Sequence, residues 1–228
     1  MTLLVTLVGL TASAQTIRRG DMNGDGEISI ADVTVLVDLV LGKHTYVDLG
    51  LPSGTLWATT NIGANFPEEY GGYFAWGETE PKSTYNWSTY KWGEYPFSKY
   101  NDSDGLQCLE PEDDAARVLW GSEWHIPAQE QSAELYDECD WTWVVFNGVS
   151  GRKVTSRMNG NYIFLPAAGC YDGSSLLREG QTGYFWTSTI HTDNYKWAWD
   201  RKFTSGSVGV SDDASRFFGC SVRPVRNQ

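Results

Sequence analysis

The sequence predicts an α+β domain of mostly antiparallel strands, preceded by a small loop-and-helix element. Three observations predict it. From Tyr46 onward, short β-prone stretches are separated by Gly, Pro and Asn. Only two stretches of that region carry the punctuation of helices. Ahead of it, a turn rich in Gly and Asp runs directly into an apolar stripe of helical period.

The first element is the apolar run Leu3 to Leu10, followed by Thr11-Ala12-Ser13-Ala14, which offers an Ala-x-Ala cleavage site before Gln15. It reads as a secretory signal peptide over residues 1–14, too short to span a membrane and without a basic leading region. No later stretch approaches the roughly 20 apolar residues that a spanning helix needs. The expected location is secreted, periplasmic or at the cell surface.

The second element covers residues 15–45. Residues 21–32 place Asp21, Asn23 and Asp25 at loop positions one, three and five, with Gly26 at the sharp turn. Glu27 then offers its backbone carbonyl, Ser29 its hydroxyl, and Asp32 closes the loop. This is the ligand spacing of a calcium loop. Carboxylates set so close repel one another without a cation, so calcium is the predicted cofactor. A helix over 31–41 follows, with Val33, Leu36, Val37 and Val40 on one stripe and Gly42 as its stop. A surface that apolar is expected to lie on the following domain or on another chain.

The third element, residues 46–228, is the main domain. Strands are predicted at Tyr46–Leu49, Thr55–Thr59, Tyr73–Trp76, Tyr162–Leu165, Tyr184–Ser188, Lys196–Phe203 and Ser221–Val225. One helix is announced by Pro111, by Glu112, Asp113 and Asp114 in its opening turn, and by Gly121 behind it. A second starts after Pro127 and runs to about Glu138.

Function classes narrow from composition. The net charge of −12 repels nucleic-acid phosphates and anionic membranes. Catalytic signatures are missing: there is no Gly-x-Ser-x-Gly, no His-Glu-x-x-His and no phosphate loop, and His44, His125 and His191 share no ligand spacing. The chain is therefore read as a non-enzyme. Cys108, Cys139, Cys170 and Cys220 lack metal spacing and allow three disulfide pairings; Cys170 and Cys220 could meet across strands, with a disulfide preferred over a reactive pair.

The richest surface signal lies between Trp186 and Arg223. His191, Asp193, Tyr195, Trp197, Asp200, Lys202, Arg216 and Phe217 mix large aromatics with charges, as binding surfaces do. Alternation puts Trp199, Arg201 and Phe203 on the core face of a strand, and Ala198, Asp200 and Lys202 on its exposed face.

Two resemblances join these readings. Loop, helix and closing Asp32 resemble the dockerin repeat, which implies a cohesin-like partner; dockerins carry two repeats, and one is found here. Val47-Asp48-Leu49-Gly50-Leu51-Pro52-Ser53-Gly54-Thr55-Leu56-Trp57-Ala58-Thr59, Glu68-Glu69-Tyr70-Gly71-Gly72-Tyr73-Phe74-Ala75-Trp76-Gly77-Glu78-Thr79, Glu112-Asp113-Asp114-Ala115-Ala116, Trp124-His125-Ile126-Pro127, Phe164-Leu165-Pro166-Ala167-Ala168-Gly169 and Ser221-Val222-Arg223-Pro224-Val225 resemble, in order, the major paralogous domain family first described from Fibrobacter succinogenes. That resemblance implies a bacterial protein with a C-type-lectin-like fold, in which N- and C-terminal strands pair and two helices flank the sheet. The 190–217 segment is similar to the variable end of diversified lectin-like proteins, which implies a ligand face for a glycan or protein. The alternative is an assembly module of a polysaccharide-degrading complex that docks through the calcium element. Three positions depart from the family: Thr60 stands at a frequent Cys, Ala128 replaces a helix-capping Thr, and Arg201 occupies an apolar strand position.

Overall fold

A computed structural model describes residues 28–40 and 44–228. The predicted signal peptide and four of the six predicted calcium ligands lie outside the described residues. Helix α1 is Ile30–Val40, with Asp32 in its first turn, where a carboxylate suits the helix dipole.

The main domain is mixed α and β with mostly antiparallel strands. Strands β1 (Tyr46–Asp48) and β2 (Leu56–Ala58) pair antiparallel. Single 3-10 turns follow at Trp87–Thr89 and Pro111–Asp113. Then come α2 (Ala115–Trp120), β3 (Trp124–His125) and α3 (Gln129–Glu138). Strands β4 (Cys139–Phe146), β5 (Val149–Ser156) and β6 (Tyr162–Pro166) form one antiparallel sheet. Strands β7 (Cys170–Asp172) and β8 (Ser175–Leu177) form a hairpin. Strands β9 (Gly183–Ile190), β10 (Trp197–Phe203) and β11 (Val208–Ser215) form a second three-stranded sheet with β10 in the middle. The last strand, β12 (Val225–Arg226), returns between β2 and β3. The terminal strands thus share the neighbour β2 and do not pair with each other.

The β4–β5 hairpin was absent from the sequence expectation although its turn is explicit. Asn147 and Gly148 take φ of +47° and +86°, the left-handed pair that a two-residue hairpin turn requires and that Asn-Gly supplies. The predicted strand Tyr73–Trp76 is instead an extended segment whose Phe74 bridges Cys220.

Helix α2 starts three residues later than its acidic run suggests. Asp114 caps it, accepting from the backbone N–H groups of Ala116 (2.9 Å) and Arg117 (3.2 Å), and its second oxygen accepts from Ile126 at 2.9 Å. Helix α3 begins on Ala128, which has no capping oxygen of its own. The oxygen comes from elsewhere: the backbone N–H of Gln129 donates to Thr189 Oγ1 at 3.1 Å, and that of Ala128 to Gln131 Oε1 at 2.9 Å. A contact across the fold replaces the local cap.

Strand β9 joins the two large cores. Its Trp186 and Ile190 pack with Phe74, Trp76, Tyr100 and Val222, whereas Phe185 faces Leu49, Trp57, Leu135, Leu165 and Phe203. Both faces are buried along nearly the whole strand, so no alternation of buried and exposed residues marks it, and its polar Thr187 and Ser188 are buried with the rings. Gly183 opens it because a Cβ there would lie 2.1 Å from the Phe203 ring.

Buried guanidinium groups tie these layers together through neutral oxygens. Arg223 donates to Asn61 Oδ1 (2.8 Å) and to the carbonyls of Ala58, Thr59 and Phe164 (3.1, 3.0 and 2.9 Å). Arg201 donates to Ser132 Oγ and to its carbonyl at 3.0 and 2.7 Å. This charge in a buried strand is therefore absorbed by α3. These bonds offset part of the cost of burying each charge.

Candidate ligand face and calcium element

Of the predicted calcium ligands, Asp21, Asn23, Asp25 and Glu27 lie outside the described residues. Ser29 and Asp32 lie inside them. The Ser29 backbone N–H donates to Asp32 Oδ2 at 2.7 Å, and Asp32 is only 3% exposed. A carboxylate held inward at the closing position fits a hard cation that takes oxygen ligands. On the helix behind it, Val33, Leu36 and Val37 remain about half exposed. The following domain does not cover these three side chains, so of the two expected covers, the following domain or another chain, they are left to the second.

A second acidic group lies elsewhere. Carboxylates of Glu110, Glu112 and Asp113 converge, but the Lys99 ammonium sits among them, bridging Glu110, Glu112 (3.5 Å) and Asp113 (2.6 Å). Lys91 adds a second bridge to Asp113 at 2.7 Å, and Tyr100 Oη donates to it at 2.7 Å. Two lysines offset most of the charge of the three carboxylates, and the cluster works as a clasp for the loop before α2.

The predicted ligand face divides. Asp200 and Arg216 are both 0% exposed, and neither belongs to a surface. Asp200 turns inward because register shifts on both sides of β10 occur between Ala198 and Asp200; such bulges re-aim side chains that simple alternation would place outside. Arg216 is enclosed by the rings of Phe97, Trp76, Tyr90 and Tyr100, its carbon Cζ 4.5 to 5.8 Å from their centroids.

The remaining residues fall in three places. At the β9–β10 turn, the His191 ring stacks on Trp199 (4.7 Å between centroids) and meets Trp197 edge-on (5.9 Å). This turn is tight: the N–H groups of Asn194 and Trp197 donate to the carbonyls of His191 and Asn194 at 3.2 and 2.9 Å. Asp193 and Lys196 stand exposed beside the rings, and Nδ1 of His191 is buried with no hydrogen-bond partner. Tyr195 and Phe217 lie half-buried on the aromatic cluster around Tyr85, Tyr90 and Phe97, with Phe217 edge-on to Trp87 at 4.8 Å. Lys202 is at the far end of β10, its ammonium 5.5 Å above the Tyr184 ring; five residues of extended strand, about 16 Å, separate it from Trp197.

The chain matches no known family model, no curated protein and no solved structure.

The face must therefore be judged by its own chemistry. Trp199 was assigned to the core by alternation, and the same bulge that buries Asp200 leaves it partly exposed against His191. The repeated Trp197-x-Trp199 spacing was the available signal. A small cavity of about 10 Å³ lies between Trp57, Leu135, Phe185, Trp186, Arg201 and Arg223, room for one water at most. The ring group at the β9–β10 turn is solvent-accessible and flanked by charge, which suits recognition at the surface.

The thiols offer little nucleophilic character. Burial pushes Cys139 and Cys170 up to about 11 and Cys220 well above its ordinary value, so these three stay protonated at neutral pH. His125 has its pKa lowered by burial and lies 3.3 Å from Gln131 Oε1. His44 stacks on Trp120. No helix among the described residues is long and apolar enough to cross a membrane.

Proposed function

We propose that this chain is a secreted or cell-surface binding protein of bacterial type, without catalysis of its own. Its β-rich domain, C-type-lectin-like by resemblance, recognises a glycan or protein ligand. The supporting observation is the ring group of His191, Trp197 and Trp199, fixed on a tight turn and bordered by Asp193 and Lys196. Rigid aromatic faces stack on the apolar face of a sugar or on a protein side chain with little loss of entropy, and flanking charges supply orientation. Tyr195 and Phe217 form a second aromatic area, packed on the cluster around Tyr85, Tyr90 and Phe97. A Trp197→Ala/Trp199→Ala variant should lose at least tenfold in affinity for ligands found on arrays of glycans and extracellular proteins, with its circular dichroism unchanged. Unaltered binding by a folded variant rejects this face.

The N-terminal element serves as a calcium site formed by Asp21, Asn23, Asp25, Glu27, Ser29 and Asp32. Bound calcium would neutralise the loop carboxylates and hold the start of α1. Titration calorimetry on the chain should register weak calcium binding, with Kd of about 10⁻⁵ to 10⁻³ M, between the sensor limit and the range of extracellular modules, and Asp25→Ala should abolish it. Absence of heat in the parent chain removes the calcium reading.

A second reading is favoured by the half-exposed Val33, Leu36 and Val37. On it, the element docks to a cohesin-like partner and the chain is an assembly module of a polysaccharide-degrading complex.

A further inference from the structure

Cys170 and Cys220 approach each other from β7 and from the extended segment before β12. Tyr171 and Gly219 exchange both backbone hydrogen bonds, at 2.8 and 3.0 Å. In an antiparallel pair, the residues one step along from such a couple face each other without hydrogen bonds, with Cα atoms about 4.5 Å apart and side chains on the same side. One step along from Tyr171 and Gly219 stand Cys170 and Cys220. Both side chains belong to the same buried core, 6% and 0% exposed, and Cys170 lies close enough to help raise the pKa of Cys220, after burial. A separation near 4.5 Å falls within the Cα range of natural disulfides, about 4.4 to 6.8 Å.

The other two cysteines are placed elsewhere. Cys139 opens β4 inside the second core, against Leu135 and Val154. Cys108 is exposed on an isolated bridge to Thr189. All four are thiols in this structure. Of the three pairings the sequence allows, the geometry favours a single link and leaves Cys108 and Cys139 reduced.

We propose that Cys170 and Cys220 are joined by a cross-strand disulfide in an oxidising compartment. Formation is an exchange with a small-molecule or protein disulfide. A Cys thiolate attacks one sulfur of that disulfide and displaces a thiolate. The second Cys thiolate then attacks the mixed disulfide, forms the Sγ–Sγ bond and displaces the other thiol. The cysteines lose two protons and two electrons in all, and the donor disulfide gains them as two thiols. Because both sulfurs are buried in the folded domain, the exchange belongs to folding, before the core closes. The closed ring contains residues 171–219, and hence β8 to β11 with the whole β9–β10 turn and its aromatic group. A link around about 50 residues restrains the unfolded chain strongly. The proposal rests on the fold alone and stands or falls independently of the ligand reading.

The test refolds the reduced full chain in a glutathione redox buffer, quenches and unfolds it in acid, alkylates every free thiol with iodoacetamide in denaturant and maps peptides by mass spectrometry. The expected result is two alkylated cysteines, Cys108 and Cys139, and one crosslinked peptide pair joining Cys170 to Cys220. Four alkylated cysteines in folded protein, or a link to Cys108 or Cys139, overturns the proposal. A second measurement guards against misfolding of variants. The Cys108→Ala/Cys139→Ala chain should keep a Tm that reductant lowers by about 10 °C. A Tm in that variant unmoved by reductant counts against the link.

Discussion

Arg216→Ala is expected to lower stability by about 4 kcal/mol and Tm by about 10 °C. The guanidinium is wholly enclosed. Nε donates to Tyr90 Oη at 2.9 Å, Nη1 to the carbonyls of Tyr100 and Tyr195 at 3.0 Å each, and Nη2 to the Lys99 carbonyl at 3.2 Å. Truncation leaves those oxygens buried without donors, each worth roughly 1–3 kcal/mol if no water reaches it. It also opens a hole among four aromatic rings, and large-to-small changes of this kind cost about 3–5 kcal/mol. Water entering the hole offsets part of the sum. Arg216→Lys keeps the charge but loses the planar fork that serves four acceptors in different directions, so it should recover less than half of the loss. Thermal unfolding followed by circular dichroism decides; a fall in Tm below about 3 °C for the Ala variant would show that the 90–100 loop does not hang on this residue.

The second large effect is expected at Asp113. Its carboxylate is 1% exposed and accepts from Lys91, Lys99 and Tyr100. Glu110 and Glu112 are far more exposed, 39% and 66%, and add little to the clasp. Asp113→Asn should therefore remove about 2–3 kcal/mol, the scale of a charge-assisted hydrogen bond within a buried network. Its pH dependence has a definite sign. Burial alone would raise the carboxyl pKa, but the bonds from Lys91, Lys99 and Tyr100 outweigh it and hold the pKa below the ordinary 3.8. A depressed folded pKa means that the contribution is present in full above the unfolded value and is lost as pH falls through the folded one. The stability gap between parent and Asp113→Asn should be constant near neutrality and close below about pH 3.8. Urea titrations at several pH values measure it; a gap that persists to pH 2 would contradict the ion-paired carboxylate.

These two residues also show what the sequence could and could not disclose. Mixed α and β character, the helix over 129–138 and the strands around Leu56, Phe164 and Phe185 were legible because they depend on local pattern. The calcium spacing over 21–32 is a local pattern too, but most of it lies outside the described residues. Arg216 and Asp200 were misplaced on the surface. Charge suggests exposure, and what brings them inside is distant: carbonyls up to 117 positions away for Arg216, and a bulged register against β9 and β11 for Asp200. Asp113 was read as a favourable charge at a helix start, whereas its lysine partners lie in a loop 14 and 22 positions earlier. The missed β4–β5 hairpin is different in kind. Asn147-Gly148 was a local signal between Trp141–Phe146 and Val149–Ser156, and it was overlooked in the sequence reading.

The return of β12 to the first sheet has a mechanical consequence. Strands β1 and β12 run the same way on either side of β2, and Tyr46 faces Ala58 while Arg226 faces Leu56. The two ends of the domain therefore leave this sheet at opposite ends of β2. Tension applied along the polypeptide, as on a tethered adhesive molecule in flow, would slide the strands past one another and strain their hydrogen bonds in parallel, where a peeling geometry would break them one after another.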